Sequence, residues 1–232
     1  MALIVDHGMR RMLLEQCDEF FYITLMNENY AQPDLPPQAA EGVLRGGYLF
    51  EQVAAQGEVR GEVSLLGSGA ILTEVRAAAR LLAAQGIAST VFSITSWSEL
   101  AREGQAWERA FDPIDETAEE QAAHQADHQA DHQADHQAGA GAAQAGVPAP
   151  AALPYAAQLL QQGRGPLVAA SDYVRAVPES IRAYVPEGRA YVTLGTDGFG
   201  RSDTRSALRE FFGVDAAHIA RAALRRCAAP GA

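Results

Sequence analysis

The chain has 232 residues, is 48% hydrophobic, and carries 18 basic against 29 acidic side chains for a formal charge of −11. An acidic chain lacks the clustered cations that displace counterions, so nucleic acid and anionic membrane are excluded as partners. All 18 cations are arginine, which excludes a lysine Schiff base and a Walker-type phosphate loop.

Alanine supplies 46 residues and aromatics only 7%, so large core side chains are concentrated in a few segments. No apolar run approaches the ~20 residues of a bilayer helix, and the N-terminus lacks a secretory apolar region. Cys17 and Cys227 lie far apart and suggest no disulfide framework. A cytoplasmic protein is expected.

In chain order, residues 3–16 place apolar side chains at helical spacing, and the run FFYITLMN at 20–27 reads as a buried strand. NENYAQPDLPP reads as a loop, its paired prolines blocking regular structure. GGYLFEQV and EVSLLGSG read as strands. Residues 71–85 read as a helix with Ile71, Val75, Ala78, Ala79 and Leu82 on one face. A strand at 89–95 follows, then a helix at 97–109 capped by Ser96 or Ser98. Residues 101–150 hold ten acids against Arg102 and Arg109, and within them His-Gln-Ala-Asp repeats from His124 to Gln137. Such a stretch buries too little apolar surface to order itself, so 115–151 is expected to be a disordered insert. Beyond it come a helix at 155–162, a strand at 166–171, a helix near 172–183, a strand at 190–196, and helices at 204–212 and 216–227. Strands alternating with helices of this length imply an α/β fold: a mostly parallel sheet with helices on both faces.

Several strings hold candidate chemistry. LLGSG at 65–69 is a Gly-rich strand-to-helix turn, either a structural tight turn or a phosphate cradle. Ile71 and Leu72 stand where a dinucleotide fingerprint needs its later glycine, which favours the structural reading. GTDGFGRSDTR at 195–205 packs three glycines, two aspartates and two arginines between a strand and a helix. It is either a ligand loop at a strand's carboxyl end, or a structural loop with Asp203 capping a helix at Thr204 and Arg201 paired to a carboxylate across an interface. His124, His128, His132 and His136 recur every four residues, with Asp127, Asp131 and Asp135 between them. On a helix they would share a face and could chelate a transition metal, but the unchanged repeat unit points to tandem duplication instead. His7 and His218 read as surface or packing residues, and Cys17, beside Asp18 and Glu19, as a poor nucleophile.

The strings FYITLMNENYAQPDLP, LLGSGAIL, VFSITSWSELAREGQ, LPYAAQLL, ASDYVRAVPESIRAYVP and LGTDGFGRSDTRSALREFFGVD occur in that order. Together they resemble the C-terminal end of the homodimeric pyruvate dehydrogenase (acetyl-transferring) first-component family. The resemblance implies a transketolase C-terminal-like domain at 20–114 and 153–232, split by an insert at 115–152. Residues 1–19 resemble the end of the family's pyrimidine-binding domain. It also implies a parent reaction of pyruvate metabolism and glycolysis: thiamine-diphosphate-dependent decarboxylation of pyruvate with acetyl transfer to a lipoyl group. Thiamine diphosphate and Mg belong to upstream domains, whose Gly-Asp-Gly…Asn motif is missing here, so no residue transfers as catalytic, cofactor-binding or metal-binding. The expected partners are a homodimer subunit or the missing cofactor domains, and dihydrolipoyl acetyltransferase. Asp197, Arg201, Ser202 and Asp203 are expected in a structural or interface loop at the sheet's carboxyl edge, ordered by charge-assisted hydrogen bonds. The leading reading is a truncated or split piece of that enzyme, inactive alone. The alternative is a non-enzymatic interaction or regulatory module, or a remnant, on the same fold.

Overall fold

A computed structural model of the chain describes residues 1–26, 29–30, 34–111 and 153–227. The expected insert, with the histidine repeat and its aspartates, lies outside the described residues.

The N-terminal helix α1 (Ala2–Met9) continues as a wider π-type stretch over Arg10–Leu14. A short turn at Pro37–Ala39 leads into α2 (Ala40–Leu44), so the second of the paired prolines opens a helical segment, as its fixed φ allows. Then follow β1 (Gly47–Val53), β2 (Gly61–Ser68), α3 (Ile71–Ala83), β3 (Ile87–Ile94) and α4 (Trp97–Phe111). The second segment supplies α5 (Tyr155–Leu160), β4 (Leu167–Ala170), α6 (Ala176–Glu179), β5 (Tyr191–Leu194), α7 (Arg205–Phe212) and α8 (Ala216–Cys227). The five strands form one sheet in the order β1-β3-β2-β4-β5, parallel except where β1 pairs antiparallel to β3.

The interior strands explain the unbroken apolar runs. Leu65 and Leu66 in β2, and Leu167 to Ala170 in β4, are buried because helices cover both faces of the sheet. On one face α3 and α8 pack, with Ile71, Val75, Ala78, Ala79 and Leu82 all buried, as the helical spacing requires. On the other, α4 and α5 bury Trp97, Leu100, Leu159 and Leu160 against Phe92 and Leu167. The two segments are stitched by Glu103 of α4. One of its oxygens accepts from the Tyr155 amide at the start of α5 (2.8 Å), and the other accepts from Arg45 (3.3 Å). The Tyr155 hydroxyl donates to the Gly47 carbonyl (2.8 Å), and Arg45 lies over its ring.

Two expected elements differ. Residues 20–26 are not a buried strand: they join no ladder, and Phe20 and Tyr22 stand in the open. An apolar run signals a need for burial, and among the described residues it is met only in part, where Phe21 packs against Gly8 and His7. The helix expected near 172–183 is reduced to α6 and a 3-10 turn at Arg182–Tyr184. There the Tyr191 hydroxyl donates to the Pro178 carbonyl (2.6 Å), and the Glu179 carboxylate accepts from the Thr193 hydroxyl, turning the chain onto β5. Among the described residues no helix is long and apolar enough to cross a membrane.

Candidate functional site

The loops at the carboxyl ends of β4 and β5 form the candidate site, where parallel α/β sheets place ligands and contacts. Ser171, fully buried, follows β4; its hydroxyl accepts from the Tyr173 amide and meets the Ser68 hydroxyl at the end of β2 (3.2 Å). The next loop crosses directly beneath the one after β5. The Thr196 amide donates to the Tyr173 carbonyl (2.9 Å) and its hydroxyl to the Asp172 carbonyl (2.7 Å). Gly195 permits this approach: a Cβ there would lie 2.6 Å from the Tyr173 carbonyl oxygen.

Asp197 closes the clasp. Its carboxylate accepts from the Arg175 amide (2.8 Å) and from the Arg175 guanidinium. Those donors, the amide first, hold the Asp197 carboxyl below the usual aspartate range. A lowered pKa means the contact contributes fully above the ordinary carboxylate range and weakens as pH falls through Asp197's own pKa. The pair is exposed, so it orders the loop more than it stabilises the fold.

The other loop residues take different roles. Arg201 stacks over the Phe211 ring, 3.9 Å from its centroid, rather than facing a carboxylate among the described residues. Asp203 does not cap the last-but-one helix. That helix starts one residue later than expected, and Thr204 caps α7 by accepting from the Ala207 amide (3.3 Å). Asp203 instead takes the Thr204 amide (2.7 Å), because the Thr204 hydroxyl is better placed to reach the third residue of the helix. Ser202 is exposed.

Between β5 and α7 lies an open cleft of about 340 Å³, lined by Arg175, Thr193, Leu194, Asp197, Phe211 and Phe212. Its charges are neutralised in place: Arg175 pairs with Asp197, and behind Thr193 the Glu179 carboxylate is held by Arg182. The Arg182 and Thr193 hydrogen bonds keep Glu179 ionised, with Arg182's the larger effect. The cleft therefore supplies shape and an aromatic wall, not a free acid or base.

The remaining sequence candidates do not converge here. In the 65–69 turn, the Leu72 and Thr73 amides bond back to the Gly69 and Ala70 carbonyls, and Gly67 sits under Val75 where a Cβ would meet it at 2.8 Å. This is a packing turn. His218 lies at the start of α8, its amide and ring both on Asp215 (2.8 and 2.9 Å), and His7 meets Phe21 edge-on. Among the described residues no group of three His, Cys, Asp or Glu converges to hold a metal ion. Sequence reading missed Arg175, Glu179 and Arg182. Glu179 and Arg182 are a local i,i+3 pair whose spacing could have signalled it, whereas Arg175–Asp197 and Glu179–Thr193 lie 22 and 14 residues apart and are paired only by the folded topology.

Residues 46–215 match the model of the transketolase-like TK C-terminal domain, and the chain belongs to that family. Over its full length it is 39% identical to the pyruvate dehydrogenase E1 component of Cupriavidus necator and 40% identical to that of Pseudomonas aeruginosa. It is homologous to the C-terminal region of E1 components and spans 22% of the length of each of these relatives. Among solved structures, transketolase from Campylobacter jejuni is similar at a TM-score of 0.42 and 16% identity, over 78% of this chain and 18% of that one.

Proposed function

We propose that this chain serves as the C-terminal, cofactor-free domain of an E1-type pyruvate dehydrogenase. The parent reaction is the thiamine-diphosphate-dependent decarboxylation of pyruvate with acetyl transfer to a lipoyl group. The observation that carries this reading is identity of 39–40% to E1 components along the whole chain. The domain's part is mechanical. The Asp197–Arg175 clasp and the Thr196 bonds fix the loops at the sheet's carboxyl edge, so that Phe199 and Phe211 are presented outward on a rigid frame. A homodimer subunit, dihydrolipoyl acetyltransferase and a cytoplasmic setting belong to the same reading.

The carboxylates at the candidate cleft do not fit the divalent ion that accompanies thiamine diphosphate. Magnesium requires convergent oxygen ligands, and the carboxylates at the candidate cleft are already held by arginine. No catalytic step is therefore assigned to this chain. Titration calorimetry of the isolated chain with thiamine diphosphate and magnesium should give no binding heat at micromolar concentrations. A micromolar dissociation constant would overturn the reading.

A further inference from the structure

We propose that the free edge of β5 at Thr193 is a docking site for an extended peptide segment of a partner protein, one that brings a carboxylate to Arg201. The site belongs to the sheet itself and does not depend on the E1 reading.

An open sheet has two edges, and this one protects them unequally. Along β1 the register slips between Leu49 and Glu51, and Glu51 is held by Arg76 of α3 (2.9 Å), a bulge and a charge of the kind that blunt an edge. Strand β5 pairs with β4 without a bulge. The carbonyls of Ala190 and Leu194 accept from the amides of Leu167 and Ser171 (2.7 and 3.1 Å). Backbone groups alternate in direction along a strand, so those of Tyr191 and Thr193 face away from β4. Arg182 donates to the Tyr191 carbonyl (3.3 Å) and lies over its ring, which guards that end. Thr193 has no such guard. Among the described residues nothing bonds to its amide or its carbonyl, and its hydroxyl is spent on Glu179. The residue is only 8% exposed. Backbone groups left unpaired in so covered a place are costly, which marks them as sites for a partner.

The surroundings specify the partner. Thr193 lines the cleft between β5 and α7, about 340 Å³ and walled by Leu194, Phe211 and Phe212. That lies near the lower end of the range for ligand clefts, about 300–1,000 Å³. With α7 as its far wall, the cleft admits one extended strand and not the sheet of a second copy. A peptide added to a sheet edge draws affinity from main-chain bonds and specificity from side-chain pockets. Here Thr193 offers one donor and one acceptor, and the two phenylalanines offer an apolar pocket. Charge settles the rest of its chemistry. Arg175 in the cleft is already paired with Asp197, so the stretch beside β5 is uncharged. Arg201 lies over the Phe211 ring, 3.9 Å from its centroid, and meets no carboxylate among the described residues. An acidic side chain where the peptide leaves the cleft past Phe211 is its complement.

The test titrates the full chain with a capped peptide of alternating threonine and valine ending in glutamate, read by amide NMR. Saturable shifts at the Thr193 amide are expected, with a dissociation constant of about 1 mM or below. N-methylating the peptide backbone removes its donors and should weaken binding at least about 10-fold. Thr193→Pro deletes the outward amide, a change an edge strand tolerates, and should abolish binding. Thr193→Val keeps the amide and should bind within about twofold of the parent. Arg201→Gln should weaken the glutamate peptide about 2–5-fold and leave a glutamine-ended peptide unchanged. No shift at about 10 mM peptide overturns the proposal, as does equal binding of the N-methylated peptide. That peptide alone decides the pairing if Thr193→Pro fails to fold; a folded Thr193→Pro that still binds overturns it. Equal effects of Arg201→Gln on both peptides overturn the carboxylate assignment. Slow exchange of the Thr193 amide before any peptide is added also overturns the proposal. If independent of chain concentration, it makes a segment of this chain the occupant; if it rises with concentration, a second copy.

Discussion

Gly165→Ala will unfold the domain or lower its melting midpoint by about 10–20 °C. Gly165 has φ +67°, a left-handed backbone that costs a side-chain-bearing residue about 1–2 kcal/mol. The larger cost is positional. A Cβ there would lie 1.9 Å from the Glu62 carbonyl oxygen on β2, a backbone atom that cannot swing away. Relief requires the 161–166 connection to lift off the sheet. That lift breaks the Ser64 amide's bond to the Pro166 carbonyl (2.9 Å) and the first registration of β4 on β2, Ser64 with Leu167. With each lost hydrogen bond worth about 1 kcal/mol, and burial beneath it lost as well, the total is about 4–6 kcal/mol. That is a large fraction of a typical domain's stability. Gly188→Ala is the control: φ is +73°, but nothing lies within 4 Å of the added Cβ. It should cost only the backbone penalty of about 1–2 kcal/mol. Equal midpoints for the two variants would show that the steric argument is wrong.

Arg189→Ala should be the next most damaging change. Its guanidinium is half-buried between α5 and the sheet and donates to the carbonyls of Gly165 (2.6 Å), Leu160 (2.7 Å) and Gly163 (3.1 Å). A fourth donation goes to the Ser64 hydroxyl (2.7 Å) on a fully buried residue. Burial pulls the Arg189 pKa below its ordinary value, yet a guanidinium remains a cation at any pH the fold survives. Alanine would leave the Gly165 and Gly163 carbonyls and the Ser64 hydroxyl without the guanidinium, while the Leu160 carbonyl keeps the Gly163 amide (3.3 Å). Hydrogen bonds to a charged group are worth about 1.5–3 kcal/mol each, and discounting for water entry gives about 3–5 kcal/mol by urea denaturation. Arg189→Lys keeps the charge but cannot span four acceptors with one ammonium, so it should recover less than half of the loss. A loss below about 1 kcal/mol, or full rescue by lysine, would contradict the assigned role.

Gly165 and Arg189 mark the limit of what the sequence makes legible. The sheet and most helices follow from local periodicity. Ile71, Val75, Ala78, Ala79 and Leu82 are spaced for one helix face and are buried there, and the run LVAA at 167–170 is buried on both faces. The location of the 195–205 loop at the carboxyl end of β5 follows from strand-helix alternation in the same way. Its internal bonds do not. Asp197 finds Arg175 22 residues away, Arg201 finds an aromatic ring, and Thr204 displaces Asp203 as the cap. Arg189 reaches Ser64 across 125 residues, and nothing in either neighbourhood announces the other. Residues 20–26 failed for the opposite reason. Their apolar run reads as a buried strand, yet among the described residues they join no ladder and Phe20 and Tyr22 stand exposed, because an apolar pattern carries no information about which neighbours are at hand.

The most direct test of whether this domain contributes frame and interface to an E1-type enzyme is the steady-state rate of a chimaera, the Pseudomonas aeruginosa E1 component with its matching region replaced by this chain. With thiamine diphosphate and magnesium bound by the remainder of that enzyme, pyruvate-dependent acetylation of a lipoyl group should proceed within about tenfold of the parent, a loss of no more than 1.4 kcal/mol in the barrier. A chimaera that folds, dimerises and binds its cofactor, yet turns over pyruvate no faster than the protein-free blank, would contradict that role.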